Sequence, residues 1–344
     1  MAVTIREVAS RAGVAVGTVS RVVNNRPDVN PKLRERVLRA LKELNYRPNA
    51  SAQSLARNSS ALVSFILSNR DFLHPFHSRV LEGVEEYSVE AGYFVVYTRF
   101  RYSPTVGAAD LQLPSVLQSH GVADCVILAG ANYENFTKSL DKKGINYVLL
   151  ANNLLTQEPS PTYDRVRFDD VAGAAEATRY LLALGHKHIF FIGETALPWY
   201  RDRYQGYSKA MMEAGLKPWA QTLGLSDNPF FNGTKSIQLA LEQKRDVTAV
   251  LAGNDEIAHG VWEGLLKAGR EVPRDVSLIG FDDLHGVGRL ASLTSVRVEA
   301  TEIGRQLAKM AIEKVKSKGA RVPEVLLPTT LMRRETCRPL FQAV

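Results

Sequence analysis

The sequence predicts an all-α helix-turn-helix head followed by an α/β body of two doubly wound parallel-sheet lobes. Two observations lead to this prediction. Residues 1–60 of the 344-residue chain are basic and contain short amphipathic helical segments on either side of a glycine. From residue 61 onwards, apolar strand-like runs alternate with helical segments in two series, which is typical of parallel sheets covered by helices.

The bulk composition is that of an ordinary globular protein, with 45% hydrophobic and 23% charged residues. The two cysteines, Cys125 and Cys337, are too far apart in sequence for a disulfide framework or a metal-binding spacing. The sequence shows no apolar run typical of a signal peptide or a membrane span. We therefore expect a cytoplasmic protein without a membrane partner.

The net charge is concentrated in the head. Residues 1–60 carry 11 Lys+Arg against 4 Asp+Glu, whereas residues 61–344 carry 32 of each. The whole excess of +7 therefore lies at the start of the chain. A basic head on a neutral body suits a polyanion partner. A solvated basic surface explains the same charge equally well, so the choice depends on the motifs.

The segment TIREVASRAG predicts the first helix of the head. Thr4 is a good N-cap with Glu7 as its capping-box partner, and Gly13 ends the helix. Its apolar stripe consists of Ile5, Val8, Ala9 and Ala12.

The segment VAVGTVSRVVNN predicts a second helix. Ala9, Gly13 and Val19 supply the small residue, the turn glycine and the apolar residue that a helix-turn-helix needs. The outward face is small and polar with one arginine, which suits contacts with base edges and phosphates in a major groove. The predicted DNA contacts are Thr4, Val16, Gly17, Thr18, Ser20, Arg21, Asn24, Asn49 and Leu55.

A third helix begins at Asn30, which caps it, and Pro31, which takes the first helical position. We expect its apolar stripe to close a small core with Val37, Leu38, Leu41 and Leu44. Residues 47–60 then form a hinge segment. This segment is either a flexible linker or a short helix that folds on DNA and inserts Leu55 into the minor groove.

The first series of the body begins with the strand ALVSFILS and the helix FHSRVLEGVEEYSVEAG, and the second begins near residue 163 with TYDRVRFDD. Ligands of open α/β sheets bind beyond the carboxyl ends of the strands. Those ends carry amides and carboxylates that suit a ligand with many hydroxyls. They are Asn69, Asp71, Asn152, Asn153, Glu194, Asn254, Asp255, Asp282 and Asp283. We expect Asp169 and Asp255 to act only as helix N-caps.

Several ordered motifs resemble the LacI/GalR family of bacterial transcriptional regulators. They include TIREVASRAGVAVGTVSRVVNN, RERVLRALKELNYRPNASAQSLAR, RDRYQGYSKAMMEAG, AVLAGNDEIAHGVWEGLLKAG, VPRDVSLIGFDDL and LTSVRVEATEIGRQLA. The likeness runs from about residue 3 to residue 339, in order and without large gaps. It implies a DNA-binding regulator, expected to be a repressor, that is controlled by a small molecule, expected to be a sugar or sugar derivative.

The resemblance also implies how the chain is organised. Residues 1–60 would be the DNA-binding domain, and residues 61–344 a periplasmic-binding-protein-like domain for effector binding and dimerisation. Crossovers near residues 162, 291 and 323 would place 61–162 and 291–322 in the first lobe, and 163–290 and 323–344 in the second. The expected partners are an operator in double-stranded DNA, in the bacterial nucleoid, and a second copy of the chain. The helical segments at 77–92 and 256–269 are candidates for the subunit contact.

Three residues match the effector contacts of the family, namely Arg203 in RDRYQGY, Asn254 in GNDE and Asp282 in FDD. The planar fork of Arg203 can hold two vicinal hydroxyls. Phe76 occupies a position where an aromatic is common, and Phe230 or Phe231 is expected to stack on the ligand, although either aromatic could be core. The predicted ligand contacts are Asp71, Phe76, Asn153, Arg203, Phe230, Asn254 and Asp282.

The sequence departs from the family at several positions. Ala15 replaces the usual serine at the turn, so it has no side chain to cap the second helix. Val16 and Gly17 occupy the two positions that most influence base reading, and His74 replaces the asparagine before the cleft proline, with His77 nearby. These changes leave the operator sequence and the effector open.

Other functions are less favoured by the sequence. No G-x-G-x-x-G follows a first strand and no P-loop is present, so we expect neither an enzyme nor a cofactor. His186 and His188 have no third ligand candidate beside them, so surface histidines are expected rather than a metal site. Two alternatives remain open: a solute-binding protein without a role on DNA, and a regulator that responds to purines or nucleosides.

Overall fold

The computed structural model describes residues 3–23, 26–46, 59–70, 74–119, 122–155, 163–221, 228–243, 246–284 and 292–340. The chain divides into two compact units, residues 1–61 and 62–344, called the head and the body below. The predictions made for Asn24, Asn49, Leu55 and Asp71 lie outside the described residues, as does most of the hinge segment. No helix among the described residues is long and apolar enough to cross a membrane.

The head contains the three predicted helices: α1 (Ile5–Ala12), α2 (Val16–Val23) and α3 (Pro31–Glu43). At the start of α1 the capping box is confirmed, since the backbone N–H of Thr4 donates to Glu7 Oε2 at 2.6 Å and the N–H of Glu7 donates to Thr4 Oγ1. Gly13 ends α1 in the left-handed region with φ 62°, which glycine adopts without strain. Asn30 caps α3 by accepting from the N–H of Lys32 at 2.9 Å.

The core of the head lies where the three helices meet. Its buried apolar residues are Val8, Ala9, Ala12, Val19, Val22, Val29, Val37 and Ala40. The prediction that Leu38 lies in the inward stripe of α3 is wrong, because this side chain is 52% exposed. The inward face passes instead through Val37 and Ala40, and Leu41 and Leu44 pack against its edge.

The body alternates strands and helices. Its helices are α4 (Pro75–Glu90), α5 (Ser115–Gln118), α6 (Glu134–Lys142), α7 (Asp170–Ala183), α8 (Pro198–Glu213), α9 (Pro229–Glu242), α10 (Asp255–Lys267) and α11 (Ala300–Lys316), with a short 3₁₀ turn at Ala151–Asn153. Its strands are β1 (Leu62–Ser68), β2 (Phe94–Phe100), β3 (Cys125–Gly130), β4 (Asn132–Tyr133), β5 (Tyr147–Leu150), β6 (Leu154–Leu155), β7 (Arg165–Phe168), β8 (Ile189–Ile192), β9 (Ala220–Gln221), β10 (Ala249–Ala252), β11 (Ser277–Asp282), β12 (Thr294–Val298), β13 (Val325–Leu327) and β14 (Thr329–Met332).

Twelve of these strands form two large sheets, as predicted, and β4 pairs with β6 in a small sheet. In the described residues the first sheet has the order β13-β7-β5-β3-β1-β2, and each neighbouring pair is parallel. The second has the order β14-β12-β11-β10-β8-β9, and only β14 runs antiparallel to its neighbour. We call the first sheet with α4, α6 and α11 the first lobe, and the second sheet with α7 to α10 the second lobe.

The three crossovers differ from the expected positions near 162, 291 and 323. Sheet membership changes after Phe168, after Val298 and after Leu327. The segment TYDRVRFDD therefore does not start the second lobe, because β7 pairs with β5 and β13 of the first sheet. A pattern of alternating strands and helices indicates that a strand exists but not which sheet it pairs with, so the boundary could not be read from it.

Glycines let the helices of each lobe approach closely. A Cβ on Gly304 of α11 would overlap the carbonyl oxygen of Val80 in α4, and one on Gly83 would overlap that of Thr301. These two positions explain why α4 and α11 lie against one another along much of their length. In the second lobe, Gly260 of α10 has the same relation to Phe230 of α9.

Two predictions about single residues have different outcomes. Cys125 is a buried apolar residue of β3, as expected. His186 is not a surface histidine, because it is 2% exposed and its two ring nitrogens lie 3.1 Å from Thr248 Oγ1 and from the carbonyl oxygen of Arg338. Those contacts join the end of the chain to the second lobe, so His186 has a structural role.

Candidate DNA-binding surface and effector site

The exposed face of α2 is small and polar, as a recognition helix requires. Val19 and Val22 are buried against α1 and α3, which orients the opposite face outwards. On that face Val16 is 41% exposed and Gly17 and Arg21 are exposed. The Arg21 guanidinium lies 3.9 Å from the exposed Asp28 carboxylate, a weak surface pair that a phosphate can replace.

Other predicted DNA contacts are less free. Thr18 and Ser20 are half-buried, and Thr4 is exposed but places its hydroxyl 3.0 Å from Glu7 Oε2 in the capping box. Thr4 therefore offers DNA a group that is already bonded within α1.

The turn of the motif is held by a residue that the sequence analysis missed. Arg36 of α3 donates from one terminal nitrogen to the carbonyl oxygens of Ala12 and Gly13, at 2.6 and 3.2 Å. At the start of α2, Ala15 contributes only its backbone carbonyl, which accepts from the N–H of Thr18 at 2.9 Å. The first N–H groups of α2 thus have no side-chain cap from Ala15 and can donate to a phosphate.

Arg203 is the central residue of the candidate effector site. It lies on α8, is 3% exposed and stacks its guanidinium 3.8 Å from the ring centre of Phe281. Nε donates to Asp170 Oδ1 at 2.7 Å, one terminal nitrogen donates to the carbonyl oxygen of Gly253 at 2.6 Å, and the other donates to Asp282 Oδ1 at 2.9 Å.

These three bonds fix the guanidinium but do not use all its donors. Arginine has five N–H groups, so two remain after the bonds to Asp170, Gly253 and Asp282. Asp282 Oδ2 and the Nδ2 group of Asn254 also have no hydrogen-bond partner among the described residues. The site therefore presents two kinds of donor and one acceptor from a rigid frame.

The electrostatics of the site balance one cation against two carboxylates. Burial raises the pKa of Asp170 to about 6, although Arg203 opposes the shift. Burial likewise raises the pKa of Asp282, again against the effect of Arg203. Burial opposes the charge on Arg203 itself, but Asp282 and Asp170 more than offset this and raise its pKa. The guanidinium is therefore charged at every accessible pH.

The end of β11 has a strained backbone. Asp282 and Asp283 have φ values of 98° and 50°, a region that non-glycine residues rarely occupy. The two carboxylates turn to different partners, since Asp283 accepts from Arg297 Nε at 2.7 Å and pairs with Arg334, also at 2.7 Å. Because Asp283 is held by Arg297 and Arg334, Asp282 is the one of these two neighbouring carboxylates that faces Arg203.

Asn254 takes the capping role that was expected of Asp255. Asn254 is the N-cap of α10, because its Oδ1 accepts from the N–H of Ile257 at 2.9 Å. Asp255 is not a cap. It is 4% exposed and accepts from Ser295 Oγ at 2.6 Å and from the N–H of Leu284 at 2.7 Å. Asp169, by contrast, caps α7 as predicted.

The first lobe contains a buried pair of polar side chains. The Asn153 amide lies 3.3 Å from His77 Nε2, and both residues are buried. Burial, with Arg70 and His74 nearby, lowers the pKa of His77 to about 3, so the ring is neutral. Because Asn153 Nδ2 donates to Nε2, we assign the ring proton to Nδ1, which has no partner among the described residues.

The predicted aromatic contacts differ in exposure. Phe76 is 7% exposed and packs against His77 and Phe168, with ring centroids 5.2 and 5.8 Å apart, so it belongs to the core of the first lobe. Phe230 and Phe231 are 43% and 42% exposed at the start of α9. Of these three rings, that of Phe76 is therefore the one buried in a core.

Side chains of the described residues also make contacts between the lobes, and three of these contacts were not predicted from the sequence. His74, which caps α4, places Nε2 3.0 Å from Glu256 Oε1, and Arg70 lies 4.9 Å over the ring of Trp199. The third is the bond from Asn152 Nδ2 to Asp170 Oδ2 at 2.6 Å. No local sequence signal pairs residues of different lobes.

Both parts of the chain have known relatives. Residues 4–49 match the family described as "Bacterial regulatory proteins, lacI family", and residues 178–337 match "Periplasmic binding protein-like domain". The transcriptional regulator CelR of Thermobifida fusca is 30% identical, over 97% of this chain and 98% of its own. The regulator GalR of Escherichia coli (strain K12) is 30% identical, over 99% of this chain and 97% of its own.

Solved structures agree. The lac repressor dimer bound to operator and the anti-inducer ONPF has 25% identity and a TM-score of 0.81, covering 98% of this chain and 100% of that one. A CelR–cellobiose complex has 27% identity and a TM-score of 0.68, covering 97% of this chain and 99% of that one.

A helix-turn-helix head and a two-lobed body with a polar site define a DNA-binding transcriptional regulator with a small-molecule effector. The chain belongs to the LacI/GalR family of bacterial regulatory proteins. The predicted family, fold class and general function are thereby confirmed. The relatives named above are transcriptional regulators and not enzymes.

Proposed function

We propose that the protein is a homodimeric repressor whose effector is an uncharged sugar bound between the two lobes. The observation that supports this most strongly is Arg203, which three buried acceptors hold while two of its N–H groups stay unused. Two vicinal hydroxyls match such a planar pair of donors. CelR has been solved with cellobiose, which supports a sugar as the ligand class.

The remaining groups fit a polyhydroxyl ligand. Asp282 Oδ2 would accept a hydrogen bond from a hydroxyl group, and Asn254 Nδ2 would donate one to a hydroxyl oxygen. Asn153 would add an amide from the first lobe. Because Asp170 and Asp282 already balance Arg203, the site has no surplus positive charge to attract an acid. Phe230 or Phe231 supplies an apolar ring for the face of the sugar.

A melting-temperature screen of the full chain tests the ligand class. The panel is cellobiose, glucose, galactose, ribose, gluconate, cytidine and adenosine, each in large excess, since a ligand that binds the folded state raises the melting temperature by mass action. We expect at least one neutral sugar to stabilise the protein and gluconate not to. Stabilisation by a nucleoside alone would favour the nucleoside-responsive alternative, in which Phe230 or Phe231 stacks on a base.

The exposed face of α2 is proposed to read the operator, with Val16, Gly17, Thr18, Ser20 and Arg21 towards the major groove. One head of this kind reads too few base pairs for useful specificity, so two copies are expected on a two-fold site. Such a repressor would act in the cytoplasm, on the nucleoid. Selection of bound sequences from a random duplex library with the full chain should return a palindrome, and a single unpaired half-site would contradict the dimer.

Exposed apolar side chains at the edge strand β2 of the first lobe suit the second copy. Phe94 and Tyr97, which alternate to opposite faces of β2, are 69% and 39% exposed, and Val89 at the end of α4 is 64% exposed. We expect Phe94→Asp to shift sedimentation towards the monomer. Met212→Asp, at an apolar side chain of the second lobe that is 61% exposed, is the matched control, since it makes the same kind of change away from β2.

A further inference from the structure

A buried chain of polar side chains crosses from one lobe to the other beside the effector site. Asp170 accepts from Arg203 Nε at 2.7 Å through Oδ1 and from Asn152 Nδ2 at 2.6 Å through Oδ2. Arg203, Asp170 and Asn152 are 3%, 2% and 5% exposed, so water does not compete for these bonds. Arg203 and Asp170 lie on helices of the second lobe, whereas Asn152 follows β5 of the first.

Asn152 also forms hydrogen bonds with the backbone of the first crossover. Its Nδ2 donates to the carbonyl oxygen of Phe168 at 3.0 Å, and its Oδ1 accepts from the N–H of Phe168 at 3.1 Å. Phe168 ends β7 in the first lobe, and Asp170 begins α7 in the second. The side chains of Arg203, Asp170 and Asn152 therefore connect the proposed ligand-binding N–H groups of Arg203 to the first crossover. The lobes would move about this segment.

We propose that Asp170 is the positioning residue through which effector binding at Arg203 is transmitted to the first crossover, and so to the angle between the lobes. The proposal rests on the proposed function of the same site. A ligand that bonds the two unused N–H groups of Arg203 pulls on a guanidinium whose Nε bond ends on Asp170. Any shift of that carboxylate must be matched by Asn152 and Phe168, because both oxygens of Asp170 are engaged.

A carboxylate is required for this role. Asp170 receives two N–H donors, one on each oxygen, and only a group with two acceptors satisfies both. An asparagine at this position has the same shape but must turn its NH₂ group towards Arg203 or Asn152. The hydrogen bond to that partner is then replaced by two N–H donors that face each other. This interrupts the row of hydrogen-bonded side chains without opening a cavity.

The same link should respond to pH. Burial raises the pKa of Asp170 to about 6, opposed by Arg203 and the bond from Asn152 and assisted by Asp282, which are the groups that face it. Below that pH the carboxyl gains a proton and one of its oxygens becomes a donor. The link to one partner is then lost, as in the asparagine variant.

The experiment compares the wild type with Asp170→Asn, using Asp169→Asn as the control, since asparagine caps a helix as well as aspartate does. The operator Kd of the full chain is measured with and without the saturating panel sugar that stabilises it most, at pH 7.5 and 5.5. We expect a several-fold to roughly hundred-fold ratio for the wild type at pH 7.5. It should fall towards one at pH 5.5.

For Asp170→Asn we expect calorimetry to show the sugar still binding, and the ratio of operator Kd values to stay within about twofold of one at both pH values. Two results together would overturn the proposal. The ratio of operator Kd values for Asp170→Asn would equal that of the wild type at pH 7.5, and the wild-type protein would give the same ratio at pH 7.5 and 5.5. If Asp170→Asn does not fold, Asn152→Ser removes the hydrogen bond to Asp170 from the side of the first lobe. It should give the same loss of the effect of sugar on the operator Kd. A wild-type ratio of one at pH 7.5 with sugar bound would instead refute the proposed function.

Discussion

Arg203 shows how single residues define this site. A buried guanidinium is costly to desolvate unless its charge is balanced and its donors are bonded. Asp170 and Asp282 balance the charge, and Gly253 supplies a backbone acceptor. The frame that stabilises the cation also fixes the direction of its unused N–H groups, so the proposed sugar would meet donors that need no reorganisation.

The planar fork is tested by Arg203→Lys. Lysine keeps the positive charge between Asp170 and Asp282 but cannot bond three fixed acceptors and still present a coplanar pair of donors. We expect effector affinity to fall by about 10- to 100-fold, in line with a loss of one or two charge-assisted hydrogen bonds. Calorimetric titration with the stabilising sugar measures it, and Arg201→Lys, an exposed position on the same helix, should bind as the parent does. Equal affinity in both variants would remove Arg203 from the site.

Asp255 predicts a pH dependence of stability. Burial and the nearby Asp282 carboxylate raise its pKa from 3.8 to about 8, so folding takes up a proton. The contribution is complete at pH values below the unfolded pKa of 3.8, decreases by up to about 1.4 kcal/mol per pH unit as the pH rises towards 8, and is lost above that pH. The melting temperature of the wild type should therefore fall from pH 5 to pH 8. Asp255→Asn should be flatter over that range, and parallel curves would show that Asp255 is ionised in the folded protein.

The sequence predicted part of this site. Arg203, Asn254 and Asp282 were placed by their motifs, and the structure brings them to one end of the second sheet. Asp170 and Asn152 were not assigned together, because their contact depends on how two lobes meet and not on any local spacing. Asp255 was mistaken for the cap of α10 because a cap is fixed by a one-residue difference in where the helix begins.

At the scale of elements, caps and glycines decide most of the arrangement. The starts of α1 and α3 and the turn at Gly13 follow from side-chain chemistry within a few residues, so the sequence predicted them. Leu38 was misplaced because a stripe of leucines fits more than one face of a short helix. The assignment of β7 to the first sheet needed the partner strands β5 and β13, which lie on both sides of it in sequence.

Gly304→Ala tests the close approach of α4 and α11. The added methyl group would overlap the carbonyl oxygen of Val80, which is backbone and cannot rotate away. We expect a loss of about 1–3 kcal/mol in the free energy of unfolding, as for other overpacked contacts, although alanine is the better helix former. Urea unfolding of the full chain measures this loss. Lys309→Ala, on the exposed side of the same helix, should stay close to the parent, and a stabilised Gly304→Ala would show that the two helices separate easily.

At the scale of the whole molecule, charge and fold divide at the same place. The head carries the entire excess of +7, and the body, compact by itself, is neutral overall. Neutralising phosphates releases counterions, so binding by the head should weaken steeply with salt. This division was visible in the sequence because composition changes at residue 61 together with the hydrophobic pattern.

A comparison of the full chain with residues 62–344 tests that division. On the selected duplex, the full chain should bind with a steep negative slope of log affinity against log salt, and the body alone should not bind. Arg21→Ala in the full chain should reduce the slope by about one if Arg21 contacts a phosphate. Equal binding by residues 62–344 would move the DNA contact to the body.

A ligand in the body is expected to control the affinity of the head for DNA. Only a ligand that binds two lobe arrangements unequally can do so, and a coupling of about 1–3 kcal/mol changes operator affinity from several-fold to roughly a hundred-fold. The direct measurement is the operator Kd of the full chain at fixed salt, with and without the stabilising sugar at saturation. We predict a change of at least about fivefold. An unchanged Kd, with calorimetry showing the sugar fully bound, would show that the ligand does not control DNA binding.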